Sequence, residues 1–173
     1  GTDVFTYTAT DGSLSATALI TATVNPINDA PTAVGDSVAT NEDTPVVISP
    51  LSNDSDAEGD SLTIVAIGQP AHGQSTINLQ QSTITYTPTQ YFNGTDIFTY
   101  TVSDGALNST AFITVTVNPV NNAPVAADDV RVTSEDTPVS ITPLTNDSDL
   151  DGDTLSIGTF GSPSHGTASI NGT

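Results

Sequence analysis

The 173-residue sequence has no cysteine, methionine or tryptophan, and it sets a single basic side chain, Arg131, against 20 acidic ones, for a formal charge of -19. Without cysteine there is neither a disulfide framework nor a thiolate metal site. With one cation there is no surface to neutralise phosphates, which excludes a nucleic-acid binder. A chain without lysine also lacks a Walker phosphate loop. No run approaches the roughly 18 consecutive apolar residues of a membrane helix, so membrane insertion is not expected. No basic segment leading into an apolar one marks a targeting peptide, and the sequence reads as a piece excised from something soluble. Charged residues make up only 12% of the chain and apolar ones 35%, so the acidity reflects missing positive partners rather than a charge-dense disordered tail. Threonine, with 30 copies, is the commonest residue, and a Thr/Val/Ile-rich composition with 13 Gly and 11 Pro favours short strands joined by turns.

The most informative feature is internal repetition. Gly1-Thr-Asp-Val-Phe-Thr-Tyr-Thr8 returns as Gly94-Thr-Asp-Ile-Phe-Thr-Tyr-Thr101, and Asn25-Pro-Ile-Asn-Asp-Ala-Pro31 as Asn118-Pro-Val-Asn-Asn-Ala-Pro124. Laid over one another at a fixed offset of 93, residues 1–80 and 94–173 share 46 identities in 80 positions without a gap. The chain is a tandem array. Residues 1–27 form the C-terminal part of one repeat, 28–120 a complete repeat, and 121–173 the N-terminal part of the next.

Within the complete repeat the apolar residues alternate. Phe98, Tyr100 and Val102 share one face of an extended segment, as do Ile113, Val115 and Val117, whereas helical spacing would scatter both sets. Further strands are expected at Val34–Thr40, Val46–Ser49, Leu62–Ile67, Gln74–Leu79 and Thr83–Thr87, separated by turn signals such as Asp-Gly and Pro-x-His-Gly. About seven strands in one repeat predict an all-β fold of tandem seven-stranded Greek-key β-sandwiches, with one complete unit and partial units at both ends. The predicted core is Val46, Ile48, Leu51, Leu62, Ile64, Ile77, Ile84, Tyr86, Phe98, Tyr100, Val102, Ile113, Val115 and Val117. It is modest, with 5% aromatic content in the chain, so stability is expected to draw on something besides apolar burial.

One acidic constellation occurs in both copies: Asn53-Asp-Ser-Asp-Ala-Glu-Gly-Asp60 and Asn146-Asp-Ser-Asp-Leu-Asp-Gly-Asp153. Carboxylates on alternate residues followed by Gly match the first half of a calcium loop, where hard oxygen ligands alternate and Gly permits the sharp turn. The second half is missing, because the twelfth positions counted from Asp54 and Asp147 are Val65 and Gly158. Other ligands must come from elsewhere. The alternative is a solvated turn, since Asp, Asn, Ser and Gly are good turn residues. Against it, so many carboxylates without a nearby cation repel one another.

The run Phe98-Thr-Tyr-Thr-Val-Ser-Asp-Gly105, the strand Ala111–Val117 and the following Asn118-Pro-Val-Asn-Asn-Ala-Pro124 resemble the last two strands and interdomain linker of a cadherin repeat. The whole unit resembles the cadherin-like and bacterial Ig-like tandem modules of very large surface adhesins exported by repeats-in-toxin systems. The resemblance implies Ca2+ held between consecutive domains. Matched residue by residue, it assigns the Asp-x-Asp pair to Asp54 and Asp56, repeated as Asp147 and Asp149. It assigns the Glu after the first strand to Glu42 and Glu135, and the Asp before the last hairpin to Asp104 and Asp11. The junction after the complete unit is then expected to gather Glu42, Asp104, Asn121, Asn122, Asp147 and Asp149. Asn28 and Asp29 from the first linker, Asp60 and Asp153 from the acidic loops, and Asp96 from the segment standing where cadherins carry Asp-Arg-Glu complete the candidate metal ligands. The linkers depart from the cadherin Asp-x-Asn-Asp-Asn-Ala-Pro form: Asn25 and Asn118 replace its first Asp, and only Asp29 adds a linker carboxylate. One or two ions per junction are therefore implied rather than three.

His72 and His165 sit in matching Pro-x-His-Gly turns, but one His per repeat without Cys makes no zinc site, and a turn-capping role is expected. No Gly-x-Ser-x-Gly elbow occurs, and carboxylates in polar turns do not suit glycoside hydrolysis, so no enzyme activity is expected. The incomplete end units each leave unpaired strand edges, which predicts head-to-tail pairing between chains. Taken together, the expected function is a calcium-stiffened structural spacer of a secreted or cell-surface bacterial adhesin, partnered by neighbouring repeats. The alternative is a module that itself binds a glycan or a homotypic protein partner. Tyr91 and Phe92 are the one aromatic pair available for that, and they are expected to pack under the following hairpin.

Overall fold

A computed structural model describes residues 1–170. Nine strands run in order: β1 (Thr2–Thr10), β2 (Ser15–Thr23), β3 (Asp36–Asn41), β4 (Val46–Ile48), β5 (Thr63–Ile67), β6 (Gly73–Asn78), β7 (Thr83–Pro88), β8 (Gly94–Ser103) and β9 (Asn108–Asn118). β3 to β9 build a sandwich from a four-stranded sheet, ordered β3-β9-β8-β5, and a three-stranded sheet, ordered β4-β7-β6. The all-β, Ig-like two-sheet architecture is the one that alternation predicts. Two compact units divide the chain, Gly1–Pro119 and Val120–Thr173.

Alternation decides which side chains go inside. On β8, Asp96, Phe98, Tyr100 and Val102 point inward while Ile97 lies exposed, and on β9 Ala111, Ile113, Val115 and Val117 do the same opposite them. Ile48, Ile64, Ile84 and Tyr86 close the core from the other strands. Val46, Leu51, Leu62 and Ile77, also expected in the core, pack against it half-buried; Ala111 is the core member the sequence reading left out. The chain changes sheets between β3 and β4 through a tight turn in which Asp43 takes a left-handed conformation with φ of 57°. β3 lies parallel to β9, in register from Asp36↔Ile113 to Asn41↔Asn118. This pairing places the end of β3 beside the end of β9, where the linker leaves the sandwich.

The partial repeats differ from the complete one. β1 and β2 form an isolated antiparallel hairpin, paired from Thr2↔Thr23 to Thr10↔Ser15, with every residue exposed. In the second unit the opening strands expected for residues 121–173 are not seen among the described residues. A 3₁₀ turn at Pro143–Thr145 and an isolated bridge Val125↔Ser148 stand there instead. They reproduce the 3₁₀ turn at Pro50–Ser52 and the bridge Thr32↔Ser55 of the complete unit. The reason is physical: local turns close on their own, whereas strands at a sheet edge need the hydrogen-bonding partner that β8 and β9 supply in the complete unit.

Candidate functional site

The acidic residues fall at the two ends of the complete sandwich and in its interior. At the end where the preceding linker enters, the acidic loop after the 3₁₀ turn folds under the linker. Asp56 Oδ1 accepts from the backbone N–H groups of Glu58 and Asp60, each at 3.0 Å, and Gly59 takes φ of 81° to close the turn. The carboxylate of Glu58 in turn accepts from the Asp29 backbone N–H at 3.1 Å. Asp104, at the tip of the β8–β9 hairpin, uses Oδ1 to cap Ala106 and Leu107 and Oδ2 to accept from Asn28 Nδ2 at 2.8 Å. These bonds, the Leu107 N–H foremost and the Asn28 amide next, hold the Asp104 carboxyl below its ordinary pKa. Asp11 caps its own hairpin tip through Leu14 and Ser13 and is lowered for the same reason.

The second copy repeats this wiring. Asp149 Oδ1 accepts from Asp151 and Asp153, the Asp151 carboxylate accepts from the Asn122 backbone N–H at 2.6 Å, and Asp147 accepts from Ala127 as Asp54 does from Val34. The loop that grips the linker is therefore a local property of the repeat and does not require the sandwich around it. Glu58 and Asp151, whose carboxylates accept the linker N–H groups, are the loop residues that the list of expected ligands left out. Their signal was present in the alternation of carboxylates at 54, 56, 58 and 60.

One expected grouping is corrected. Glu42 and Asp104 do not share a junction. The Glu42 backbone N–H bonds the Asn118 carbonyl at the exit end of β9, whereas Asp104 follows Ser103, which pairs with Asn108 at the opposite end of the hairpin. Ten residues of β8 separate the two ends by roughly 30 Å. An antiparallel hairpin necessarily puts its tip and its exit at opposite ends. The structure groups Asp104 with Asn28, Asp29, Asp56 and Glu58 at the entry end, and leaves Glu42, buried beside Asn93, at the exit end.

Two further candidate ligands are already engaged, Asp96 in the interior and the half-buried Asp54 at its edge. Asp96 is buried, and its carboxylate accepts from the backbone N–H groups of Ala71, His72 and Ile97 and from the Tyr86 hydroxyl, at 2.8 to 3.0 Å. It anchors the Pro-x-His-Gly turn, where the His72 ring stacks on Phe92 with centroids 4.4 Å apart. Gly73 follows because a Cβ there would meet the Tyr86 ring at 2.5 Å. Asp54 accepts from the Tyr100 hydroxyl at 2.8 Å and from the Val34 N–H at 2.7 Å, tying the loop to the core. Burial, reinforced by the neighbouring carboxylate, raises both phenol pKa values well above the ordinary one. Asp36 is also raised, by burial first and by the charge of Asp54 second.

The donor set is chemically suited to a hard cation: carboxylate, amide and backbone oxygens, with no lysine or arginine in residues 1–119. Asp56 Oδ2 is buried without a hydrogen-bond partner, an arrangement a cation would relieve. Among the described residues, however, no three His, Asp or Glu side chains are gathered so as to hold a metal ion. The described residues contain no helix long and apolar enough to cross a membrane, which says nothing of β-barrels. Phe92 packs against the core as expected, while Tyr91, at φ of 62°, is exposed.

The sandwich, its linker-gripping loop and its tandem arrangement define an Ig-like structural module. The profile of the bacterial Ig domain matches residues 28–118 and again 121–173, and the chain belongs to that family, a non-catalytic fold typical of surface-protein modules. No curated protein matches the sequence. Among solved structures, a variant of the endo-fucoidan hydrolase MfFcnA4 from glycoside hydrolase family 107 is 25% identical over 69% of this chain and 19% of its own, with a TM-score of 0.38. The related endo-fucoidan hydrolase MfFcnA9 is 21% identical over 68% of this chain and 22% of its own, with a TM-score of 0.36. The chain thus spans about a fifth of the length of these enzymes.

Proposed function

We propose that the protein is a structural spacer, a run of bacterial Ig modules of a secreted or cell-surface adhesin whose linkers are stiffened by calcium. The observation that carries this reading is the repeated docking of linker backbone onto an acidic loop, Asp29 on Glu58 and Asn122 on Asp151. In the complete unit Asn28, Asp29, Asp56, Glu58 and Asp104 would hold the ion, with Asp56 Oδ2 the oxygen most in need of it. Asn121, Asn122, Asp149 and Asp151 are the counterparts at the second linker, and Asp147, Asp153 and Asp60 lie in the same loops. A bound ion neutralises carboxylates that otherwise repel one another and ties the linker to the sandwich, so that successive modules keep a fixed direction. At 10 to 100 times its dissociation constant each ion adds about 1.4 to 2.7 kcal/mol, a substantial share of a domain's roughly 5 to 15 kcal/mol.

Small-angle scattering and calorimetric titration of the full chain test the proposal. Calcium is expected to bind with at least one site per linker and to lengthen the particle, and chelator to reverse both. An unchanged radius of gyration together with no binding heat at millimolar calcium would leave a plain acidic turn in its place.

A further inference from the structure

The complete sandwich keeps its charge off its broad sides. On the four-stranded sheet β3-β9-β8-β5 no outward position is charged: Asp36 lies on the half-buried side of β3, Asp96 of β8 is buried, and the other carboxylates of the unit stand outside the strands. What faces outward from β8 and β9 is threonine around one apolar pair. Ile97, 54% exposed, lies opposite Thr114, and Phe112, 63% exposed, lies opposite Thr99, so the two are diagonal neighbours about 7 Å apart. Beside them the hydroxyls of Thr101 and Thr110 bond each other at 3.0 Å.

The preceding repeat builds the same surface. Val4 and Leu19, at the positions of Ile97 and Phe112, again lie diagonally, opposite Thr21 and Thr6, and the hydroxyls of Thr8 and Thr17 again bond each other, at 3.1 Å. The outward threonines at 95, 99, 101, 110, 114 and 116 all recur as threonine at the offset of 93. Exposed valines on the other strands do not recur: Val47, on the outer face of the second sheet, becomes Ser140, and Val65, on the bulged edge strand β5, becomes Gly158. An exposed apolar pair gains nothing from water, so its return in the same uncharged frame points to a contact surface.

We propose that this sheet face packs laterally against the same face of a second copy of the chain. Charge selects that partner. At -19 overall, two copies repel wherever their carboxylates meet, and this face brings them together with none at the contact. Periodicity selects it too, because the face returns once per repeat and a second array of the same repeat offers matching faces at the same spacing. A sugar fits less well: the middle of the face has no carboxylate or amide to grip its hydroxyls, and Thr101 and Thr110 are engaged with each other. Four strands about 4.8 Å apart and about 20 to 30 Å long give the face roughly 400 to 600 Å². A standard stable interface uses about 800 Å² per partner, so one module pairs weakly and arrays gain by pairing several modules at once. The contact owes nothing to calcium, since the acidic loops lie beyond the strand ends.

Sedimentation equilibrium of the full-length chain in chelator tests the proposal. The average mass is expected to rise above the 17.6 kDa monomer between about 0.1 and 1 mM, and more steeply at higher salt, which screens the charges around the contact. Phe112→Thr, which matches its neighbours and keeps a strand-favouring side chain, should weaken the association about fivefold or more, as truncation of a central interface aromatic does. Phe112→Asp, which puts a charge at the centre, should abolish it, and Val47→Asp on the other sheet should leave it unchanged. If Phe112→Asp does not fold, Phe112→Thr alone carries the test. A Phe112→Thr or Phe112→Asp chain that associates as tightly as the wild type, or an equal loss in Val47→Asp, would overturn the proposal. A wild type that stays monomeric would also overturn it, and binding of a soluble neutral polysaccharide that Phe112→Asp loses would then give the face to a sugar.

Discussion

Asp96 gives the sharpest separation between a metal ligand and a structural carboxylate. In Asp96→Ala the backbone N–H groups of Ala71 and His72 lose an acceptor at a part-buried site, while the Tyr86 hydroxyl, buried, keeps only the His72 carbonyl at 3.3 Å. An orphaned buried donor costs about 1 to 3 kcal/mol, so the substitution should cost about 3 to 5 kcal/mol, a large part of a stability of roughly 5 to 15. Asp96→Asn keeps one acceptor oxygen and turns an amide toward the other pair of donors, so about half that loss is expected. Urea unfolding followed by far-UV circular dichroism reads the effect as a midpoint lower by about 3 to 5 M for the alanine variant, taking a slope near 1 kcal/mol per molar for a domain of this size. The measurement is made in excess calcium and again in chelator. The same loss is expected in both, because the carboxylate serves the turn rather than an ion. A loss below about 1 kcal/mol would refute the burial argument, and one that vanishes in chelator would make Asp96 a calcium ligand.

Other consequences follow from the same geometry. Gly73→Ala drives a Cβ into the Tyr86 ring and toward the Thr87 carbonyl at 2.7 Å, and should cost about 1 to 3 kcal/mol in the same unfolding experiment. The folded-state phenol pKa values of Tyr86 and Tyr100 are raised above the unfolded value near 10, so their stabilising contribution is complete below that pH and is lost as pH rises beyond it. Unfolding midpoints should therefore fall above pH 10, with tyrosinate absorbance from these two residues appearing together with unfolding. Asp36 has the opposite consequence: its raised carboxyl pKa means that the ionised form opposes folding at neutral pH, an effect relieved as pH falls through the folded value. Asp36→Asn is accordingly expected to stabilise the metal-free protein by roughly 0.5 kcal/mol at pH 7 after solvent screening, with the gain disappearing near pH 3. A destabilised Asp36→Asn protein at pH 7 would contradict that sign.

Much of this was legible along the chain. Strict alternation in Phe98, Tyr100 and Val102 and in Ile113, Val115 and Val117 implies which faces are buried, because a period of two has only one apolar side. The offset of 93 marks the repeat, and the spaced carboxylates of 54 to 60 mark the loop. Even the placing of Asp104 was within reach, since the tip of a hairpin cannot lie at its exit. What local pattern could not supply was the parallel pairing of β3 with β9, which puts Glu42 beside Asn118, and the inward turn of Asp96 onto a turn 24 residues earlier. The sequence by itself determined the alternating faces, the repeat and the acidic loop, all readable from patterns among near neighbours. Only the tertiary structure decided which carboxylates meet at one end and which become internal anchors, because that depends on how distant strands stack and on which backbone donors burial leaves in need of an acceptor.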